Sequence, residues 1–258
     1  MSQVRAHLDR RETGTKTGLT MIKPILANTS QATRLSQATR LPGMLSRKRT
    51  FGQKAAGAGL AAMLAVASVA YQTPAQASSG GQTVQGLYDS LLSTMRNGST
   101  LGGSGRYTQL APVIRRSFDL PFMARLAFGP GWTSLTPAQQ QQVAESYGRY
   151  ISAVYADRFD SYHGQRLDVT GERQNPYGLI VTSQIIKSDG DPVEVDYLMR
   201  QAGDSWLIAD IYLDGTISEV ATHRSEFADI LRNQGVDGLI EALNRKADML
   251  TSTAASAS

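Results

Sequence analysis

Residues 206–213 (W-L-I-A-D-I-Y-L) are apolar on both alternating faces and broken only by Asp210. A strand wet on one side alternates apolar and polar residues, so this run reads as a strand buried on both sides. Asp214-Gly215 ends it with turn chemistry. Ser218 then caps a helix whose apolar stripe is Ile217, Val220, Phe227, Ile230 and Leu231, and Gly235 closes that helix. A central strand with a helix folded back over it is the constraint that the rest of the chain must meet.

Three strand signals precede this one. Residues 166–173 are polar and read as an edge strand, and residues 179–187 are apolar and β-branched. Residues 193–201 alternate, with Val193, Val195, Tyr197 and Met199 on one face. Residues 188–192 (S-D-G-D-P) and 202–205 (A-G-D-S) are short turns, which makes the set an antiparallel meander.

Helices lie on either side in the chain. Val84, Leu87, Tyr88, Leu91, Leu92 and Met95 mark an amphipathic helix over residues 82–96. Residues 97–105 (N-G-S-T-L-G-G-S-G) read as a flexible loop and residues 106–117 as a short helix. Asp119 caps a further helix with Pro121 in its first turn, stopped by Gly129-Pro130-Gly131. Thr136-Pro137-Ala138-Gln139 is a capping box opening a long helix to about residue 162. Val143, Tyr147, Tyr150, Ile151, Val154, Tyr155 and Phe159 form its broad apolar arc. A last helix covers residues 236–249, and residues 251–258 read as a disordered tail. The fold class is α+β: helices, a four-stranded antiparallel sheet, then helices.

The motif W-x-I-x-D-I-x-L-D-G, followed by S, R-S-E-F and I-L-x-x-x-G, resembles the MlaC or toluene-tolerance family of periplasmic lipid-binding proteins. Phe122 to Gly129 followed by Trp132 is similar to another segment of that family. The form D-G-T-I-S-E-V-A-T-H-R-S-E-F is closest to the hopanoid-associated HpnM branch. The resemblance covers roughly residues 82–250. It implies a curved sheet wrapped by helices, a nuclear-transport-factor-two-like cone with added helices. It also implies lipid transfer in company with inner-membrane and outer-membrane transporter complexes.

Charge separates a leader from the body. Residues 1–77 carry 11 Lys and Arg against 2 acidic residues, whereas the body carries 15 against 20. The body is mildly acidic, and no basic stripe remains to neutralise nucleic-acid phosphates. Arg47, Lys48, Arg49 and Lys54 form a charged n-region, residues 55–70 are uncharged and small, and Ala75-Gln76-Ala77 is a cleavage site. Cleavage after Ala77 and export to the periplasm are the expectation. The alternative, an uncleaved anchor, asks for a span of about 20 residues, longer than this run. Residues 1–43 are too long and too rich in Ser and Thr for an n-region, which favours a start at Met44 over Met1. One lipid-binding domain then occupies residues 78–250.

Reactive chemistry is sparse. There is no cysteine, so thiol catalysis and cysteine-ligated metal are excluded. His163 and His223 lack a metal-ligand partner at helical spacing and read as solvated surface residues. No nucleophile elbow or P-loop occurs, and no cofactor is implied. Asp210 is the exception. It is read on the face of Trp206, Ile208 and Tyr212, where a buried carboxylate must be hydrogen-bonded. A link to a helix end or an arginine is one reading; a general base in an isomerase- or dehydratase-like pocket is the other.

Binding a lipid needs no such group. Each buried methylene contributes roughly 0.8 kcal/mol, so a dry apolar cavity holds a long tail by itself. The expected wall comprises Phe122, Leu126 and Trp132, with Tyr147, Ile151, Val154 and Tyr155 from the long helix. The strands add Val181, Ile185, Val195, Tyr197, Ile208 and Tyr212. Arg125 and Arg224 are head-group candidates at its mouth, with surface solvation or a pair with Asp210 as the alternative. The reading is a lipid carrier with no chemical step; the rivals are an Asp210 enzyme and a ligand-free structural adaptor.

Overall fold

The computed structural model describes residues 79–188, 190 and 192–252. The leader with its expected signal, Asp189 and Asp191 of the expected turn, and residues 253–258 of the tail lie outside the described residues. Residues 251 and 252, expected in the tail, are the last two of a helix.

The meander is present, in the order β1 (Arg166–Asn175), β2 (Gly178–Ile186), β3 (Pro192–Ala202) and β4 (Ser205–Leu213). A two-residue fifth strand, β5 (Ile217–Ser218), extends the expected four. Asp214, Gly215 and Thr216 join it to β4; Asp214 and Gly215 take positive φ of 49° and 68°, and the Thr216 N–H donates to the Leu213 carbonyl at 3.2 Å to close the turn. Phe118 bridges Ile208 in parallel, and the Asp119 N–H donates to the Ile208 carbonyl at 2.8 Å. The outer edge of β4 is therefore paired rather than left open to other chains.

Directly opposed residues share a face, so Leu179, Val181, Ser183 and Ile185 line the inner face with Val195, Tyr197 and Met199. In β4 the pairing slips: Met199 opposes Ile208, but Leu198 opposes Asp210. The extra residue, Ala209, makes a β-bulge and moves the alternation on by one. Trp206 and Ile208 consequently share the inner face with Ile211 and Leu213, whereas Asp210 and Tyr212 face outward. Placing Asp210 and Tyr212 beside Ile208 from strict alternation was one residue out.

Helix α1 (Gly80–Arg96) opens with a capping box at Ser79 and Gln82 and lies on the inner sheet face. Its Tyr88 hydroxyl meets Ser183 Oγ at 2.6 Å, and its ring meets that of Tyr197 edge to face. Of the loop expected at residues 97–105 only Asn97 is a turn; the rest belongs to α2 (Gly98–Ser117), broken at Gly102. Tertiary contact overrides the poor helix formers there. The buried guanidinium of Arg106 donates to the carbonyls of Gly98 at 3.0 Å and Ala156 at 2.7 Å, fixing the segment to its neighbour.

Asp119 caps α3 (Leu120–Phe128) through the Phe122 N–H, and a 3-10 turn (Pro130–Ser134) follows. The expected Thr136 capping box opens α4 (Pro137–Arg158). This helix stops at Phe159 rather than near residue 162, so Tyr162 lies outside it, with Arg96 over its ring. The final helix, α5 (Glu219–Ser252), is broken at Gly235 as expected and packs along α4.

Candidate functional site

The long helix supplies the frame. At 3.6 residues per turn, Ala144, Gly148 and Tyr155 fall on one stripe of α4, which Phe159 at the C-cap continues. Toward its C-terminus the stripe faces the inner sheet. Tyr155 and Phe159, their rings stacked at 5.5 Å, enclose a cleft with Ile185, Val195, Tyr197, Ile211 and Leu213. Its volume is about 20 Å³. Toward the N-terminus the same stripe borders an open groove of about 780 Å³. Phe118, Leu120, Trp132 and Tyr107 form the groove's far side, and Gln140 and Gln141 its rim.

Two contacts separate the spaces. Phe118, on the groove, meets Tyr155, on the cleft, edge to face at 5.5 Å. Leu120 packs onto Gly148 so closely that a β-carbon there would come within 3.0 Å of Leu120 Cδ1. Arg115 stands exposed at the groove and has no ion pair among the described residues. Arg149, also at the groove, is held by Asn244 and by an ion pair with Asp248.

The expected wall residues divide. Tyr155, Ile185, Val195 and Tyr197 come together around the cleft. Val181 and Ile208 are fully buried on the same inner face. Ile151 and Val154 are buried in the same core, whereas Tyr147 turns toward α5, against Phe227 and His223. Trp132 borders the groove instead of the cleft. Tyr212 is on the outer sheet face because of the bulge. Leu126 is 37% exposed, and Phe122 lies under the Arg200 guanidinium at 4.0 Å. Neither belongs to an enclosed wall, since α3 turns Met123, Ala124 and Ala127 inward instead.

The head-group candidates are both exposed, and neither is paired with Asp210. Arg125 lies over the Phe122 ring and Arg224 against Gly129. The groove residues Phe118, Leu120, Ala144, Gly148 and Arg115 were not anticipated. Their signal is faint: small residues one turn apart on a long helix, marking where another apolar body comes close.

Asp210 caps a helix. One carboxylate oxygen accepts from the Val220 N–H at 3.1 Å and the Ile211 N–H at 2.8 Å, and the other from Ser218 Oγ at 2.6 Å. Ser218 in turn accepts from the Ala221 N–H. An anion at the α5 N-terminus is favoured by the helix dipole. Burial raises the Asp210 pKa, opposed by these hydrogen bonds. Both oxygens are engaged on the outer sheet face, turned away from the cleft.

His223 is buried, 1% exposed, not solvated as expected. Between α4 and α5 its ring stacks on Phe227 and meets Tyr147 and Tyr150 edge on. Nδ1 shares a hydrogen bond of 3.0 Å with the Tyr147 hydroxyl, and Nε2 lies 3.6 Å from Glu219. Glu219 also pairs with Arg158 at 3.1 Å, both side chains being largely buried. Desolvation lowers the His223 pKa to about 4, against the pull of Glu219. Among the described residues no cluster of acidic or histidine side chains could hold a metal ion, and no helix is long and apolar enough to cross a membrane.

The comparisons agree with this architecture. A solved phospholipid-binding protein from Ralstonia solanacearum, determined in complex with a phospholipid, superposes with a TM-score of 0.59 at 23% identity. The match covers 68% of this chain and all of that one, and it shows the shared fold. A profile of the MlaC protein family matches residues 85–245, most of the chain and every element from α1 into α5. The chain therefore belongs to the MlaC family.

Proposed function

We propose that this protein is a periplasmic carrier that holds a lipid by its tails and moves it between membranes without a chemical step. One observation carries the reading: a single stripe of α4 faces both an open groove and a closed cleft, each lined largely by apolar and aromatic side chains. Such a surface rewards burial of hydrocarbon and asks for no reactive group. The phospholipid in the Ralstonia relative supports a phospholipid cargo. The resemblance of residues 214–227 to the hopanoid-associated branch supports a polycyclic lipid as the other cargo. Export by the leader, a mature domain of residues 78–250 and work alongside membrane transporter complexes complete the proposal.

Mass spectrometry of the organic extract of residues 78–258, exported in a hopanoid-producing host, tests it. A lipid in near-equal molar amount is the expected result, and its mass names the cargo. A lipid-free protein that also takes up none from vesicles would overturn the carrier in favour of a structural adaptor. A second sample carrying Asp210→Asn should retain the same lipid.

A further inference from the structure

The cleft against the sheet is too small to hold hydrocarbon as it stands. A space of about 20 Å³ accommodates about one water molecule. The outer groove, at about 780 Å³, falls within the roughly 300–1,000 Å³ of small-molecule sites. In this conformation the groove has room for a tail and the cleft does not; a second open space of about 670 Å³ between α4 and α5 is lined mostly by polar and charged side chains and suits hydrocarbon poorly. The groove lies along the same helix face as the cleft and is separated from it by Phe118 and Leu120.

We propose that the groove between α2, the start of α3 and the N-terminal half of α4 is the receiving site for one acyl chain of a phosphate-bearing lipid. Arg115 meets the phosphate, and Phe118 is the gate that swings off Tyr155 to let the chain reach the sheet. This rests on the carrier reading and adds to it a route and an order of filling. The occupant follows from the lining and the charge. Phe118, Leu120, Trp132 and Ala144 offer apolar contact, while Arg115 makes no ion pair among the described residues; the carboxylate in the same lining, Glu145, accepts instead from the Gln141 amide at 2.8 Å. Arg149, tied to Asp248, is less available. An amphiphile with one anionic end matches this arrangement better than a neutral hydrocarbon or a polar peptide. The gate is a side-chain motion, because the Phe118 backbone is fixed by its bridge to Ile208. Its ring gives up one edge-to-face contact, that with Tyr155.

Gln141 at the groove rim is exposed and gives a probe access to the groove. A photo-crosslinking benzoylphenylalanine at Gln141, irradiated after incubation with vesicles of phosphatidylglycerol and phosphatidylcholine, should attach to an acyl carbon. Ala144→Trp, which fills the groove, should slow uptake from the same vesicles at least tenfold. Phe118→Ala, which opens the gate, should speed it severalfold. Arg115→Glu should reduce uptake of phosphatidylglycerol more than that of phosphatidylcholine. If Ala144→Trp misfolds, the Gln141 crosslink decides alone. Crosslinking at Phe159 but none at Gln141, with normal uptake by the unsubstituted chain, would overturn the groove while leaving the carrier standing. No uptake by the unsubstituted chain would overturn both.

Discussion

Tyr147 and Tyr150 touch the same imidazole and answer to opposite rules. The Tyr147 hydroxyl bonds to His223 Nδ1, whereas the buried Tyr150 hydroxyl has no hydrogen-bond partner among the described residues. A buried hydroxyl without a partner costs about 1–3 kcal/mol. Tyr150→Phe should therefore hold or raise the denaturation midpoint. Tyr147→Phe strands the imidazole nitrogen and should lower stability by a similar 1–3 kcal/mol. Paired urea titrations of the two variants read this directly, and equal losses would contradict it. Asp210 belongs at the same scale. Its three accepted hydrogen bonds predict that Asp210→Asn lowers stability by about 1–2 kcal/mol, the loss of a helix cap, with lipid retention unchanged. Lost retention in a fully folded Asp210→Asn protein would restore the catalytic or ligand-contact reading.

At the scale of elements, Gly102 and Gly235 share one unusual backbone state. Their φ/ψ values, 61°/−177° and 68°/−164°, lie in a region that essentially only glycine occupies. At Gly235 a β-carbon would meet nothing, so any penalty there is backbone strain. Gly235→Ala and Gly235→Asn should both cost about 1–3 kcal/mol. An ordinary left-handed cap would tolerate Asn, so rescue by Asn would refute this conformation. The Gly235 break was legible in the sequence because an apolar stripe ended at a glycine. The Gly102 segment was not, because its glycines and serines announce a loop while the contact that makes it helical, Arg106 on the Ala156 carbonyl, is 50 residues away in the chain. The sheet shows the same division. Strand positions and turns follow from alternation and turn residues, and β1 to β4 lie where expected. The bulge at Ala209 leaves no mark in W-L-I-A-D-I-Y-L, yet it moves Asp210 and Tyr212 to the other face. The groove was hidden for a related reason. Ala144 and Gly148 read as gaps in an apolar arc until Leu120, distant in sequence, is placed against them.

For the molecule as a whole, the α4–α5 interface joins the cleft to a titratable core. Arg158 lines the cleft and pairs with Glu219, which lies beside His223. The groups facing His223 are Glu219 on its own helix, Tyr147, Tyr150 and Arg158 on α4, and Lys246 beyond the break. Arg158 and Lys246 oppose a charge on the imidazole, and Glu219 favours it; burial outweighs all three. The folded His223 therefore titrates near 4, below the ordinary 6.5. Between those values the unfolded chain binds a proton that the folded chain refuses. Stability from this group is thus full above about pH 6.5 and falls as the pH drops toward 4, by at most about 1.4 kcal/mol per pH unit. Asp210 and Glu226 run the other way, since burial raises both carboxyls and the folded state holds their protons longer. The net curve mixes the signs, so the comparison must isolate the histidine. His223→Gln keeps an acceptor for Tyr147 and removes the titration. The stability difference between the unsubstituted chain and His223→Gln should shrink steadily from pH 6.5 to 4 and stay flat above 7. A difference independent of pH would show that His223 is protonated alike in both states, and with it the dry interface that holds α5 against the cleft wall would fall.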